Sequence, residues 1–280
     1  MTTPTLFSAG LPFPEGPCFD RHGNLFVVDF GAGNISRLTP DGRAEVFACT
    51  GGSPTGLTFH PDGTLYVADT GLGAILRVEP DGSWSRVADA FAGPNDLAFD
   101  QDGRLYFTDP HGSSEHNPVG RVLRIDVDGT VQTLLEGMAY PNGLAFDAAG
   151  TSLYLAHMRA GRVDRFSVDG DGGLSKGEVF AEVSPVDHKG GCDGVAFDVE
   201  GRLYVALFRF GVVRVLAPDG SRERDISIAG DRPTNVAFGG PDRRTLFITE
   251  VETSSLYTLL VPAPGLPLFA ERAWARAGIV

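Results

Sequence analysis

The sequence PNGLAFD at residues 141–147 belongs to a motif that occurs six times along the chain. The other copies, degraded to different degrees, are PEGPCFD from Pro14, PTGLTFH from Pro54, PNDLAFD from Pro94, CDGVAFD from Cys192 and PTNVAFG from Pro233. Each copy is followed by an alternating apolar run such as TLYVAD or RLYFTD. Successive copies begin 40 to 51 residues apart, a period that is characteristic of propeller blades. The chain is therefore predicted to repeat one β unit six times.

Each unit reads as four strands joined by tight turns. In the second unit the strands are GLTFH, TLYVAD, AILRVEP and WSRVAD, with the sequence PDG at 61–63 and again at 80–82 between them. Asp-Gly between alternating apolar runs is a strong hairpin signal, because glycine accepts the positive φ that such turns need. No run with a helical period longer than about ten residues lies between the units.

These features predict an all-β fold: a single six-bladed β-propeller of four-stranded antiparallel blades over residues 1–280. Radial packing of the blades would protect the strand edges, and the motif would open the innermost strand of each blade. The last unit lacks a clear outermost strand. We expect TLFS at residues 5–8 to supply it and so close the ring, with LPLFA at residues 266–270 as the alternative.

The composition is that of a folded soluble protein. It is 42% hydrophobic and 21% charged, and no window approaches the ~18 apolar residues of a membrane span. The first ten residues, MTTPTLFSAG, lack the features of a secretory signal, so a cytoplasmic location is expected. The net charge of −13 repels phosphate backbones and anionic lipid, so neither nucleic acid nor a membrane is an expected partner. Three cysteines are too few for a disulfide framework or a thiolate zinc site. A small molecule is the expected partner, and the oligomeric state stays open.

The second position of the motif carries an oxygen-bearing side chain in every copy. The six residues are Glu15, Thr55, Asn95, Asn142, Asp193 and Thr234. Because each would begin an inner strand, the radial arrangement points them toward the central axis at one height. Asn and Asp after proline also form Asx turns, but Glu15 is a poor former of such turns. The register therefore favours a shared site, with Thr55 and Thr234 as structural positions.

A set of carboxylate, amide and hydroxyl oxygens suits a hard cation. Calcium takes 6 to 8 oxygen ligands, whereas zinc prefers nitrogen or sulfur. We therefore predict a central metal site for one divalent cation, with calcium first, magnesium or manganese next and zinc as the least suited alternative. The predicted ligands are Glu15, Asn95, Asn142 and Asp193.

The motifs PEGP, PNDLAFD with DGRLYFTDP, PNGLAFD and CDGVAFD, in this order, resemble those of the gluconolactonase, regucalcin (senescence marker protein) and luciferin-regenerating-enzyme family of six-bladed propellers. Diisopropyl fluorophosphatase is a more distant relative of that family. The resemblance implies that Glu15, Asn142 and Asp193 hold a calcium or other divalent ion. It also implies that Asn95 contacts the metal directly or through water and substrate, and that Asp193 acts as acid or base.

Two positions depart from the family pattern. Lactonases of the regucalcin type carry an arginine that binds a sugar hydroxyl two residues before the Asn of the third motif, and here that residue is Gly93. The fluorophosphatases hold a second, structural calcium with an aspartate three residues after the Asp of the fifth motif, and here that residue is Ala196. The chain is therefore expected to bind a single ion.

The predicted function is hydrolysis of a lactone, possibly of a sugar acid, in which the cation polarises the carbonyl group. Asp193 is the predicted base for the attacking water; direct attack by water on the ion, or an exchange of roles with Glu15, stays open. Asn95, His157 and His111 are the predicted substrate-binding residues, the last of them in the loop at residues 110–120. Two alternatives remain: a calcium- or ligand-binding propeller without catalysis, and an organophosphate hydrolase resembling phosphotriesterases.

Overall fold

The computed structural model describes residues 3–110, 112–186 and 190–279 of the chain. Strand β1 (Thr5–Ala9) precedes the first blade. Blade 1 contains β2 (Pro14–Phe19), β3 (Leu25–Asp29), β4 (Asn34–Leu38) and β5 (Ala44–Cys49). Blade 2 contains β6 (Pro54–Phe59), β7 (Leu65–Asp69), β8 (Ala74–Val78) and β9 (Trp84–Ala88). Blade 3 contains β10 (Leu97–Phe99), β11 (Leu105–Asp109), β12 (Gly120–Ile125) and β13 (Val131–Met138).

The second half of the chain continues the same pattern. Blade 4 contains β14 (Pro141–Phe146), β15 (Ser152–His157), β16 (Arg162–Ser167) and β17 (Glu178–Glu182). Blade 5 contains β18 (Gly191–Phe197), β19 (Leu203–Phe208), β20 (Val212–Leu216) and β21 (Arg222–Ser227). Blade 6 contains β22 (Pro233–Gly239), β23 (Thr245–Glu250) and β24 (Ser255–Leu260). A short 3-10 helix, Met158–Ala160, follows β15, and helix α1 (Phe269–Arg276) ends the described chain.

The strands form six four-stranded antiparallel sheets; five follow simple sequence order, and in the sixth β1 lies beside β24. The innermost strands contact one another around a closed ring, β2, β6, β10, β14, β18, β22 and back to β2. The predicted six-bladed propeller is therefore confirmed. The amino end closes the ring as expected, because β1 pairs antiparallel with β24 as the outermost strand of the sixth blade. The alternative segment at residues 266–270 instead leads into α1.

The interfaces between blades share one aromatic contact. The Phe at the sixth position of each motif packs edge-on against an aromatic side chain in the second strand of the preceding blade, with ring centroids 4.8 to 5.4 Å apart. The six pairs are Phe19–Phe247, Phe59–Phe26, Phe99–Tyr66, Phe146–Tyr106, Phe197–Tyr154 and Phe238–Tyr204. The Phe of each motif therefore contacts the Tyr or Phe that follows the preceding copy of the motif. This contact recurs at every interface between blades.

Helix α1 lies across the face of the ring that carries the Asp-Gly turns. The indole Nε1 of Trp274 donates to the carbonyl of Pro61 in blade 2, and Arg272 donates to the carbonyl of Ala148 in blade 4. The helix therefore covers this end of the tunnel, above a cavity of about 200 Å³ whose lining includes Asp96, Asn235 and Phe269. Over the described residues, the helices are too short and polar for any of them to cross a bilayer.

Replacing Trp274 by alanine should destabilise the protein by about 3–5 kcal/mol, because a large buried side chain and its hydrogen bond to Pro61 are both lost. Urea denaturation would measure the change. Trp84 provides the control: its indole also donates to a carbonyl, that of Cys49, but it is 36% exposed against 2% for Trp274. Equal losses for Trp84→Ala and Trp274→Ala would contradict the assignment of α1 to the folded core.

Candidate metal centre

The second residue of the motif stands at an irregularity of the inner strand. In five blades the pairing between the first and second strands shifts register next to this position, for example between Glu15 and Cys18 and between Pro141 and Leu144. In the third blade regular pairing begins only at Leu97, after Asn95. Such bulges re-aim a side chain out of the sheet. Here they occur where the inner strands begin, on the face opposite the Asp-Gly turns.

Three of the predicted ligands are brought together. The side chain of Asn142 lies close enough to the carboxyl group of Asp193 to lower its pKa, and both side chains are buried. The amide nitrogen of Asn142 donates to Sδ of Met158, at 3.8 Å. The carboxyl group of Glu15 interacts electrostatically with that of Asp193, and Thr234 lies beside Glu15. These residues come from the first, fourth, fifth and sixth blades, so only the closed ring can bring them together.

Burial and mutual repulsion disfavour the charged forms of the carboxyl groups in this cluster. Burial raises the pKa of Glu15 well above its usual value, and the negative charges of Asp193 and Asp96 raise it further. Burial also raises the pKa of Asp193, as does the charge of Asp96, whereas the nearby Asn142 and Arg159 oppose the shift. Burial raises the pKa of Asp96 to about 6. A cation between these groups would reverse the unfavourable interactions, because it favours their charged forms.

The donor set fits a hard cation on chemical grounds. The side chains of Glu15, Asn142 and Asp193 are near enough to influence one another in a desolvated setting. They offer carboxylate and amide oxygens, and none of the three is an imidazole or a thiolate. No three His, Cys, Asp or Glu side chains cluster as metal ligands anywhere in the described chain. A cation would therefore depend on amide oxygen from Asn142, in addition to the two carboxylates of Glu15 and Asp193.

The two threonines of the register make hydrogen bonds between blades. The hydroxyl of Thr55 donates to the carbonyl of Asn95, at 2.7 Å, and that of Thr234 donates to the carbonyl of Pro14, at 3.0 Å. Each bond fixes the backbone of the next blade beside a predicted ligand. This is the structural use expected of both residues. Asn95 itself lies two residues before β10, and its backbone N–H donates to the carbonyl of Thr108.

Asp96 is a further carboxyl group whose charge acts on Glu15 and Asp193, and the sequence analysis did not identify it. It occupies the third position of the motif, where four other copies have glycine. A Cβ at Gly143 would lie 2.4 Å from the carbonyl oxygen of Asp193, and one at Gly16 would lie 2.5 Å from that of Thr55, so the next blade leaves no room for a side chain. The signal was therefore present in the sequence: a carboxylate at a position that is glycine in four of the other five copies and asparagine in the remaining one.

The prediction that His157 binds substrate stays a prediction, and its hydrogen bonds argue against it. Ring atom Nε2 accepts the backbone N–H of Ala139 at 2.7 Å, and Nδ1 lies 3.0 Å from a carboxylate oxygen of Asp164. Both ring nitrogens of this buried side chain are therefore engaged. His111, the other histidine predicted to bind substrate, lies outside the described residues.

Other blades contain an equivalent of the His157 bond. The residue that ends the second strand accepts the backbone N–H of the residue just before the motif proline: Asp69 from Ser53, Asp109 from Gly93 and Glu250 from Arg232, at 2.7 to 2.8 Å. His157 accepts from Ala139, two residues before Pro141. The histidine thus replaces an acid that anchors the loop leading into the inner strand.

Fold and site together define a six-bladed β-propeller with a cluster of oxygen donors in its central tunnel. The chain belongs to the SMP-30/Gluconolactonase/LRE-like family, whose model matches residues 13–252. This confirms the resemblance that the motifs indicate.

Three similar proteins illustrate the relationship. The chain is 40% identical over 85 residues to a 6-deoxy-6-sulfogluconolactonase of Pseudomonas putida, and this segment covers 30% of the chain but only 29% of that relative. A gluconolactonase of Xanthomonas campestris has a similar structure, with a TM-score of 0.80 and 25% identity, over 92% of this chain and 89% of that one. A calcium-binding protein, regucalcin, of Agrobacterium tumefaciens has a similar fold, with a TM-score of 0.83 and 22% identity, over 96% and 97%.

The raised pKa values predict how the metal-free protein responds to pH. Because the folded state binds more protons than the unfolded state at Glu15, Asp96 and Asp193, these groups lower the free energy of unfolding as pH rises above the ordinary carboxyl range. In the presence of a chelator, the double variant Glu15→Gln, Asp193→Asn should be more stable than the wild type at about pH 8, because it removes two groups whose charged forms are disfavoured in the folded state. The advantage should shrink toward about pH 5, as measured by urea denaturation. An advantage that grows on acidification would contradict the assignment.

Replacing His157 by phenylalanine should lower the free energy of unfolding by about 1–3 kcal/mol, because the N–H of Ala139 and the carboxylate of Asp164 lose their partner. His157→Gln should lose less, since its amide oxygen can accept from Ala139. His22→Phe, at an exposed position, is the control in the same denaturation series. A variant of unchanged stability with a raised KM would instead favour the original prediction that His157 binds substrate.

Proposed function

We propose that this chain is a lactone hydrolase that depends on one divalent cation, with calcium as the first choice. The observation that carries the proposal is the convergence of Glu15, Asn142 and Asp193 from separate blades in the desolvated tunnel. The cation would be held by these three residues, with Asn95 as a further ligand or as a contact to the substrate. When bound, it would polarise the lactone carbonyl and stabilise the negative charge that develops on its oxygen.

The chain itself would supply a base and its orientation. Asp193 accepts a proton from water as the water oxygen forms a bond to the carbonyl carbon. The bond from that carbon to the ring oxygen then breaks, and the proton passes to the ring oxygen, so the product is a hydroxy acid. Asn142, whose side chain lies beside that of Asp193, would help to orient this carboxylate toward the attacking water.

The relatives support this choice of reaction class. Proteins named 6-deoxy-6-sulfogluconolactonase and gluconolactonase are among those similar to this chain. We therefore propose a lactone of a sugar acid as the substrate class. A non-catalytic calcium-binding propeller is the second candidate, favoured by the similarity to a regucalcin described as a calcium-binding protein.

Removal of either carboxylate should abolish turnover. Asp193→Asn is expected to lower kcat/KM for a lactone by at least about 100-fold through loss of the base, and Glu15→Gln by a similar factor through loss of the ion. A chelator should inactivate the wild type, and added calcium should restore it. Initial rates of acid release from a panel of aldonolactones would measure these effects.

The matched control is Asp81→Asn, which removes an exposed carboxylate from an Asp-Gly turn on the other face and should keep full activity. Calcium binding by the wild type without hydrolysis of any lactone would favour the non-catalytic candidate. Hydrolysis that survives both the chelator and Asp193→Asn would contradict the proposal.

A further inference from the structure

Two arginines stand together on the face of the propeller where the inner strands begin. Arg159 belongs to the 3-10 helix after β15 in blade 4, and Arg209 follows β19 in blade 5. A guanidinium nitrogen of Arg159 donates to the carbonyl of Gly190 at 3.3 Å. A Cβ at Gly190 would lie only 3.0 Å from the Cβ of Arg209. Both arginines therefore flank Gly190, three residues before Asp193.

The Arg159 guanidinium lies near Tyr140 and Asp193. Its carbon Cζ lies 5.3 Å from the centre of the Tyr140 ring, and its charge acts on the carboxylate of Asp193. Tyr140 is itself close enough to Asp193 and Glu15 for their charges to raise the pKa of its hydroxyl, which burial raises most. The arginine thus lies near both Gly190 and the proposed metal ligand Asp193.

The opposite rim is apolar. Phe13 in blade 1 precedes Pro14 as Tyr140 in blade 4 precedes Pro141, and both residues have a left-handed backbone with φ near +60°. Phe13 packs on Phe30, with ring centroids 5.1 Å apart. In a six-bladed ring the first and fourth blades face each other across the axis. Blade 1 therefore brings an aromatic pair to this face. Blades 4 and 5 bring the two arginines, each with an aromatic ring beside it, and Arg209 lies over Phe208 with Cζ 5.7 Å from the ring centre.

We propose that Arg159 and Arg209 bind an anionic substituent of the substrate, remote from the lactone carbonyl, so that the preferred substrates are lactones of acidic sugars that carry a second acid group. This rests on the proposed lactonase function and narrows its substrate class. The chain has a net charge of −13 and an acidic tunnel, so an anionic substrate would otherwise be repelled. Guanidinium groups suit oxyanions because they offer paired N–H donors in a plane.

The test compares two lactones that differ in one group. Glucono-1,4-lactone ends in a neutral hydroxymethyl group, and glucaro-1,4-lactone carries a carboxylate in its place. The calcium-loaded wild type should favour the anionic lactone in kcat/KM by at least about tenfold, since a charge-assisted hydrogen bond contributes about that factor. Arg159→Gln and Arg209→Gln should each reduce this preference by several-fold, mainly through KM, and added salt should reduce it in the wild type. Arg86→Gln, on the outer strand β9, is the control and should keep it.

Calorimetric titration with glucarate, the dianion itself, gives a readout that does not need turnover. The wild type should bind it more tightly than Arg159→Gln does. Equal kcat/KM values for the two lactones, or a preference that survives both substitutions, would overturn the proposal while leaving the lactonase function intact. Absence of hydrolysis of either lactone would instead count against the lactonase function. In that case, glucarate binding that is weakened by Arg159→Gln would still support the anion site. Glucarate binding that Arg159→Gln leaves unchanged would overturn the anion site.

Discussion

The edge-to-face contact between the motif phenylalanine and the aromatic ring of the preceding blade is the interaction on which the rest of the structure depends. Each such pair adds about 0.5–1.5 kcal/mol to the burial of its two rings. Because it recurs at all six interfaces, it gives every blade the same relation to its neighbour. Repetition of that relation, together with the pairing of β1 with β24, closes the ring around a tunnel.

The same motif couples packing to the site. Its sixth residue fixes the interface, and its second residue is turned toward the axis by the bulge beside it. Six identical donors would give a symmetric tunnel. The chain instead keeps the scaffold and varies the donor: a carboxylate at Glu15 and Asp193, an amide at Asn142, and a hydroxyl at the two threonines, where it joins blades. Asp96 stands at the next position of the motif, where four other copies have glycine, and it places a further buried carboxyl group near these donors.

The concentration of negative charge explains why an ion is the natural complement of this tunnel. Desolvated carboxylates that repel one another are unfavourable, and a divalent cation converts the same arrangement into a favourable one. Arg159 offsets part of the charge at Asp193. Arg159 also places a positive charge on the blade-4 side of the ring only. Identical repeats would not produce this asymmetry.

Most of the fold could be predicted from the sequence, because strand order, turns and ring closure follow from a pattern that is repeated six times. The grouping of Glu15, Asn142 and Asp193 could be predicted for the same reason. Helix α1 could not be predicted, since LPLFA is a short apolar run that suits a strand or a helix equally. Its packing against the turn at Pro61 accounts for the helix. The bonds of His157 and the approach of Arg159 to Gly190 depend on loop geometry between blades, which no local pattern records.

The most direct test of the central claim is anomalous X-ray diffraction from crystals grown with calcium. The account predicts a single strong peak in the tunnel, about 2.3–2.6 Å from oxygen atoms of Glu15, Asn142 and Asp193. A tunnel without such a peak in calcium-saturated crystals, or an ion bound only elsewhere, would contradict it.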